Sequence, residues 1–309
     1  ALSKEDQGLS LYLADLDMPL SLCGNSLLKG KCYLPKAGIK RAYIEGESFT
    51  GEKLIDGQVK ESVRTLPLLS TEMIRHIKGE FSGQHGENDS VINIDRQAAT
   101  DTIRHSFLNH PLYLYSPGVI ILDKIFYSGN IIIVSEKGVK VLAGSSLEDI
   151  LIYAPRIEIE DNFEGSLQAF ASDTLLIGEH CKLNYPSVAG LVRTSTSPDK
   201  PCLIVGEESK ISGVVFAFEE NMDIKKQVQI ILKEKSEVRG QVYSNGLVDL
   251  KGSIFGSLVC NKIMLSTPSA VYENHLLNAT IDNSKLSRDF TGINLLGLSK
   301  NKEIVKCLN

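Results

Sequence analysis

The chain contains 309 residues, of which 42% are hydrophobic, 6% aromatic and 23% charged, and it has no tryptophan. This length suffices for one long domain or two ordinary ones, and the formal net charge of −5 leaves no basic surface that would attract nucleic acid or an anionic membrane. No apolar run in the sequence is long enough for a membrane-spanning helix.

Short apolar segments alternate with glycines in the N-terminal part of the chain. After the strand-like LSLYL, the segments LSLC, CYL, AYI and KLI are separated by Gly24, Gly30, Gly38, Gly46, Gly51 and Gly57. Strands this short, with a glycine at nearly every corner, are typical of a β-solenoid, in which glycine adopts a positive φ at the corners. Residues 1–64 are therefore predicted to be an N-terminal segment with the first solenoid turns at about 20–64.

A helical pattern follows. The segment Thr71–Lys78 places Met73, Ile74 and Ile77 on one helix face, with Thr71 as the expected N-cap. Arg96–Leu108 also fits a helix, because Ala98, Ala99, Ile103 and Phe107 fall roughly on one side. Residues 65–111 are predicted to form a partly helical insertion that packs on the solenoid or interrupts it.

A repeated phrase marks the main solenoid, predicted at residues 112–281. An apolar residue is followed by a polar stretch containing Glu and then by a second apolar residue, and Val205–Gly213 aligns with Leu232–Gly240 at an offset of 27 residues. Further copies are Val134–Val139, Ile159–Phe163, Ile177–Leu183 and, more loosely, Leu265–Val271. This varying spacing favours a right-handed parallel β-helix over a left-handed one, which needs a sustained six-residue period.

The pattern is lost in residues 282–309, which keep only two apolar pieces, Ile293–Leu298 and Ile304–Leu308. An open solenoid end exposes strand edges that pair with other chains unless something covers them. Residues 282–309 are therefore predicted to be a C-terminal cap or tail. The fold class that follows is all-β: a right-handed parallel β-helix with a partly helical insertion and this cap.

The six cysteines are widely scattered and form no C-x-x-C pair, so they predict neither a disulfide framework nor a metal site. We expect them to be buried small apolar residues. Two pairings stay open: Cys23 with Cys32, and Cys181 with Cys202.

Residues 235–260, KSEVRGQVYSNGLVDLKGSIFGSLVC, resemble the core repeat of the bactofilin, or polymer-forming cytoskeletal, family. Glycines of the family's repeat correspond to Gly240, Gly252 and Gly256, and its apolar positions to Val238, Val242, Val248, Leu250, Ile254 and Leu258. The resemblance implies a right-handed β-helix with a scaffold or envelope-associated role in a bacterium, and it carries no catalytic residues. This chain is longer than the family's core and has long corner loops. Bactofilins polymerise end to end, which a long capped solenoid need not do.

The phrase around His180 also resembles a single hexapeptide repeat of left-handed acyltransferases, in which a histidine acts as general base. Only two such copies occur, 28 residues apart, instead of tandem copies every six residues. We therefore predict that His180 is a corner residue.

Glu158, Glu160 and Asp161 form the densest acidic cluster, and carboxylate clusters hold Ca²⁺ in pectate-lyase-type β-helices. In a strand Glu158 and Glu160 would share one face and supply half of such a site. The alternation in R-I-E-I-E equally describes a solvated outer face, which is the interpretation we favour.

Three histidines, His76, His105 and His110, flank the helical insertion without the Glu-x-x-His spacing of a metal site. No P-loop, dinucleotide-binding fingerprint or nucleophile elbow is present. The sequence thus predicts no catalytic, cofactor-binding or metal-binding residues and no cofactor.

The leading functional hypothesis is a non-enzymatic structural or interaction protein of a bacterial cell envelope. Its partners would be proteins or further copies, contacted through solenoid ends or faces. We expect an extracytoplasmic location, with an export signal or anchor upstream of Ala1, or a cytoplasmic one for a true bactofilin-like filament. The alternative is a carbohydrate-binding or polysaccharide-active β-helix, which requires a groove lined by carboxylates, basic residues and exposed aromatics.

Overall fold

A computed structural model describes residues 8–81, 86, 89–94, 101–194, 200–220 and 226–292. Within these ranges the chain forms 26 strands, one α-helix and one short 3-10 helix, so the all-β prediction is confirmed. The largest sheet has 21 strands, and only two strand pairs of the described residues are antiparallel. None of the described helices is long and apolar enough to cross a membrane.

The elements before the main solenoid are β1 (Leu9–Leu13), β2 (Leu20–Cys23), β3 (Leu27–Lys29), β4 (Lys31–Leu34), β5 (Ile39–Arg41), β6 (Tyr43–Ile44), β7 (Glu47–Ser48), β8 (Val59–Glu61), α1 (Thr71–Phe81), β9 (Ser90–Asn93) and β10 (Thr102–His105). The main solenoid begins with β11 (Leu112–Ser116), β12 (Val119–Leu122), β13 (Phe126–Gly129), β14 (Ile131–Ser135), β15 (Gly138–Val141), β16 (Ser146–Ile159), β17 (Glu164–Ile177) and β18 (Lys182–Arg193). It continues with β19 (Cys202–Val205), β20 (Lys210–Glu219), β21 (Gln229–Leu232), β22 (Glu237–Leu250), β23 (Ser253–Ser266), β24 (Val271–Glu273), β25 (His275–Leu277), β26 (Thr280–Asp282) and the 3-10 helix η1 (Asn283–Lys285).

These strands stack coil upon coil in three faces around a single interior. Face 1 contains β11 and β14 and continues through the middle of β16; face 2 contains β12 and β15 and continues through the end of β16. Face 3 contains β10 and β13 and continues through the start of β16. The long strands bend from one face into the next, so the architecture is solenoid-like, as the short alternating segments predict.

The interior of the coils is a continuous column of aliphatic side chains. On each strand alternate residues point inward, as in β14, where Ile131 and Ile133 are fully buried in the core. Each inward residue stacks on its register partner in the next coil; Leu175, for example, pairs with Leu203. Burial of each such side chain contributes roughly 1.5–3 kcal/mol, so the many thin aliphatic layers stabilise a solenoid that lacks tryptophan.

The order of the coils along the axis differs from the order along the chain. β1 pairs in parallel with β23, β3 with β26 and β2 with β25, so the N-terminal coils continue the solenoid beyond its C-terminal coil. The N-terminal strands extend the C-terminal coil through these three parallel pairings. The cap or tail predicted at residues 282–309 stays a prediction, because residues 293–309 lie outside the described ranges.

Residues 62–81, which we call the strap, connect the N-terminal coils to the opposite end of the solenoid. They run along the outside of face 1, where the carbonyl of Thr65 accepts a hydrogen bond from Tyr12 at 3.2 Å and that of Pro67 one from Tyr243 at 3.1 Å. Farther on, Lys78 pairs with Glu220, and the ring of Phe81 packs edge-on against Tyr153. Of the insertion expected at 65–111, the part up to Phe81 packs on the solenoid, whereas β9 and β10 pair in parallel with β11 and β13 as part of the sheet.

The helix predicted at 71–78 is present and extends to Phe81. Its N-cap is Ser70 and not Thr71, because the Ser70 hydroxyl accepts the Met73 N–H at 3.3 Å. The second predicted helix, 96–108, is wrong for its described part, where Thr102–His105 form β10 in parallel register with β13. Its residues 96–100 lie outside the described ranges.

The repeated phrase occupies the corner between faces 2 and 3. Val205 pairs with Leu232, and Gly213 with Gly240, in the register that the 27-residue offset predicts. The copies at 159 and 177 occupy the same corner, since Ile159 pairs with Ile177. Val134–Val139 instead turns from face 1 to face 2, and Leu265–Val271 forms an antiparallel hairpin turn, so these two copies are chance matches to the phrase.

The far end of the N-terminal coils is closed by residues 49–56. Phe49 is buried against the last core residues, and the Arg41 guanidinium lies 5.5 Å from the centre of its ring. Arg41 also donates to the carbonyls of Gly51 and Glu52. This loop protects the apolar interior at that end from solvent.

Candidate functional site

The corner between faces 2 and 3 presents a row of residues in the left-handed backbone region. Asn162, His180, Glu208 and Lys235 have φ values of 65°, 56°, 57° and 56° in successive coils. The left-handed conformation turns the chain sharply and directs each of these side chains outward. We call these four residues the corner row, and the prediction that His180 is a corner residue is confirmed.

In the corner row Glu208 lies between His180 and Lys235. His180 Nδ1 lies 3.4 Å from Glu208 Oε2, and Lys235 Nζ lies 2.7 Å from Glu208 Oε1. The hydrogen bond and charge of Lys235 lower the pKa of Glu208, and Glu208 in turn raises the pKa of Lys235. Both carboxylate oxygens are thus held by neighbouring coils, which leaves Glu208 poorly suited to proton transfer.

Face 3 beside the corner row is polar, and Asn162, Glu164, His180 and Lys182 line an open depression on it. Lys182 pairs with Glu164 of the preceding coil at 3.2 Å, and Lys182 lies in register with the exposed Lys210. Farther along the face, the ring of Phe255 is flanked by Arg239 and Lys285, whose charged groups lie 5.4 and 4.4 Å from its centre. Such a surface of paired charges and cation-covered rings suits protein contacts better than chemistry on a small molecule.

The acidic cluster does not converge. Glu158 lies on face 2 and pairs with Lys140 at 3.5 Å, whereas Glu160 lies beyond the end of β16 and accepts the Ala143 N–H at 2.9 Å. Asp161 accepts the Glu179 N–H at 2.7 Å. The shared face expected for Glu158 and Glu160 fails because the strand ends at Ile159 and the chain turns there.

The three histidines His76, His105 and His110 form no common site. His76 Nε2 is 3.9 Å from Glu80, and His105 Nε2 contacts the carbonyl of His110 at 2.8 Å. Among the described residues no group of three His, Cys, Asp or Glu side chains could hold a metal ion.

The five described cysteines are free, which settles the pairings left open for Cys23, Cys32, Cys181 and Cys202. Burial raises the pKa of the Cys32 thiol to about 12. Burial raises the pKa of Cys181 and Cys202 as well. These thiols are therefore poor nucleophiles, because the thiolate is the reactive form.

An aromatic column on the outer side of face 1 was missed by sequence reasoning. In consecutive register lie Tyr115, Val134, Tyr153, Phe170, Gly190, Phe216, Tyr243, Val259, Tyr12 and Tyr33. The rings of Tyr153 and Phe170 stack at 5.0 Å, and Gly190 leaves the room in which Phe170 and Phe216 approach each other. The signal in the sequence was that LYLYS and IIIVS are apolar on both faces, which indicates a covered outer side.

The strap covers the middle of this column. Tyr153, Phe170, Phe216 and Tyr243 are each at most 6% exposed, and Leu66, Leu69, Ile74 and Ile77 of the strap pack in the same cluster. Glu80 lies at its edge, 3.3 Å from the Tyr113 hydroxyl. Aromatic residues that would line an open sugar-binding groove are therefore buried under the chain's own segment.

Asp249 is a buried carboxylate on face 2. Burial raises the pKa of its carboxyl, although a hydrogen bond from Ser266 and the charge of Lys251 act in the opposite direction. Its Oδ1 has no hydrogen-bond partner among the described residues. The ionised form is therefore disfavoured in the folded state.

We expect Asp249→Asn to stabilise the protein at neutral pH by about 1 kcal/mol, because it removes the desolvated charge. Since the folded-state pKa lies above the unfolded one, the wild-type penalty is complete above the folded pKa and disappears as pH falls to the unfolded value. Urea unfolding from pH 4 to 8 measures this, and the pH slope should become shallower in the variant. Equal stability of both proteins at every pH would contradict the assignment, and Asp149→Asn, at an exposed position, is the control.

Comparison of the chain with protein-family models, curated proteins and solved structures finds no match.

Proposed function

We propose that the chain is a non-enzymatic structural or interaction protein, a bactofilin-like solenoid scaffold of a bacterial cell envelope that contacts partners through the polar face 3. The observation that carries the proposal is that the charged side chains of faces 2 and 3 are paired from coil to coil. Lys140–Glu158, Lys182–Glu164 and Lys251–Glu234 each link successive coils. Such pairing favours a rigid, regularly spaced surface over a site with a group free to react.

The coil is proposed to be right-handed. Parallel strands joined by crossovers adopt that hand in about 98% of cases, because it suits the right-handed twist of the strands. Register offsets that range from 15 residues at Val248–Ile263 to 28 at Leu175–Leu203 also fit the right-handed class, whose coil length varies. An extracytoplasmic location, with cytoplasmic as the alternative for a filament, is part of the same proposal.

The second candidate function is polysaccharide binding or cleavage, and the aromatic column is the observation that favours it. If the strap were displaced, the column would present sugar-sized rings along the axis. Against this stand the hydrogen bonds and apolar contacts of the strap, and the separate engagements of Glu158, Glu160 and Asp161.

One experiment distinguishes the two functions. The purified chain is incubated with neutral and acidic polysaccharides, with and without Ca²⁺, and both retardation in affinity gels and release of new chain ends are measured. The scaffold proposal expects neither. Retardation by one polysaccharide class would favour the carbohydrate function, and new chain ends would overturn the non-enzymatic proposal.

A positive test uses photo-crosslinking in cells. A photoreactive residue is placed at Lys182 or Lys210, which are exposed register neighbours on face 3, and at Lys140 on face 2 as the matched control. We expect the two face-3 positions to crosslink to the same protein and Lys140 not to do so. Equal labelling from both faces would contradict an interaction surface on face 3.

A further inference from the structure

The junction between the N-terminal coils and the main solenoid joins parts of the chain that are far apart in sequence. The hydroxyl of Ser26 donates to the carbonyl of Leu276 at 3.1 Å across a separation of 250 residues. Leu11 stacks in register on Leu258, and both are fully buried. The junction is thus a complete core layer whose two sides are linked only through the rest of the chain.

From the geometry we infer that residues 9–61 can dock on the C-terminal coil of a second copy, so that two chains exchange these coils reciprocally. The occupant is specified by shape and register. Strands β23, β25 and β26 present three parallel edges, and the N-terminal coils supply the three matching strands β1, β2 and β3. We call residues 9–61 the module. The module of another copy reproduces every one of these contacts without a new interface, which is the condition for domain exchange.

Removal of the module from the C-terminal coil would cost a large free energy. Without the module, Leu258, Cys260, Leu276 and Ile281, all fully buried here, would be exposed together with three unpaired strand edges. Exposed apolar edges of this kind recruit another chain. Contacts between distant parts of a chain form late in folding. The C-terminal coil is therefore exposed during folding until the module of the same chain docks on it.

The connection is long enough for the exchange. The twelve face-1 strands, spaced about 4.8 Å apart, give an axial length of about 53 Å. Residues 62–89 span up to about 70 Å even with α1 kept helical. The strap can therefore leave its own face 1 and reach the end coil of a neighbouring solenoid, or accompany the module onto it.

The exchange competes with closure inside one chain. A tethered module has an effective concentration on the order of mM, which falls as the tether lengthens. Dilute refolding should therefore give closed monomers, and refolding at ~0.1–1 mM should give exchanged dimers. The inference goes beyond the proposed scaffold role, because it depends on the junction alone.

The test places a cysteine pair across the junction at exposed positions. Leu27 and Thr280 are direct register partners; Leu27 is 42% exposed and Thr280 is half-buried, so L27C/T280C leaves the core intact. The matched control, K182C/K210C, joins exposed register partners within the main solenoid. Both pairs are made in a parent carrying Cys202→Ser and Cys307→Ser, because the remaining cysteines are fully buried.

Each protein is unfolded, refolded at ~1 µM or ~0.5 mM, sized by light scattering and treated with a short bis-maleimide. We expect dimers after concentrated refolding, with at least a tenfold higher share of chain-to-chain crosslinks for the junction pair than for the control pair. Monomers at both concentrations would overturn the inference. Dimers whose junction crosslinks stay within one chain would overturn it as well, because they would place the contact elsewhere.

Discussion

Replacing Gly240 by alanine should destabilise the protein by about 4 kcal/mol or more and abolish folding at moderate temperature. Gly240 has a φ of +153°, and an added Cβ would lie 1.8 Å from the carbonyl oxygen of Gly213 in the preceding coil. Gly213 and Gly256, its register neighbours, show the same conformation, with Cβ positions 1.9 and 1.8 Å from a backbone oxygen. The clash could be relieved only if the two coils separated, because the clashing atoms of Gly213 belong to the backbone.

Urea denaturation and soluble yield measure this effect, and Gly144→Ala is the matched control. Gly144 lies in an exposed turn of the same solenoid, its φ is not positive, and an added Cβ would meet only side-chain atoms, of Lys124 at 3.5 Å and of Asp123 at 4.0 Å. The control should remain within about 0.5 kcal/mol of wild type. If both substitutions cost the same, the close coil-to-coil approach at Gly240 would be refuted.

Ile77→Asp should release the strap and destabilise the fold by about 3 kcal/mol or more, because it places a charge in an apolar contact. Ile77 is 3% exposed and packs with Ile74 in the cluster that contains Phe216 and Tyr243. With the strap undocked, the aromatic column becomes accessible. We therefore expect increased binding of a hydrophobic dye and faster proteolysis between residues 62 and 81.

Arg75→Asp is the control, because Arg75 lies on the exposed side of the same helix and receives the same side chain. It should change stability by less than about 1 kcal/mol and leave dye binding unchanged. Wild-type dye binding and proteolysis in Ile77→Asp would show that the strap does not cover the column in solution.

Local sequence patterns were sufficient to predict the strand–turn–strand unit of each coil. The apolar alternation and the charged corner phrase specify a short strand, a left-handed turn and the next strand without reference to distant residues, so the register of Val205 with Leu232 could be read from the 27-residue offset. Helix α1 was equally visible, since its apolar face follows the helical period over Met73, Ile74 and Ile77. His180 was recognised as a corner residue for the same local reason.

The strand at Thr102–His105 could not be predicted from such local patterns. Ile103 and its neighbours fit either period over so short a span, and the backbone hydrogen bonds with β13 decided for a strand. The position of the Glu160 side chain was not predictable from local patterns either. It depends on the end of β16 at Ile159 and on the hydrogen bond from the Ala143 N–H. Intrinsic preference is weak compared with pairing in a sheet.

The sequence by itself determined that this chain builds thin β coils with an apolar interior, because those preferences act over a few residues. Only the tertiary structure decided which coils are neighbours. No local sequence pattern predicts that Leu11 pairs with Leu258. Any coil of matching cross-section could form the same hydrogen bonds with this strand edge. The strap follows from that choice, because the chain must pass along the outside of the solenoid to connect the N-terminal coils with the first coils of the main solenoid at the other end.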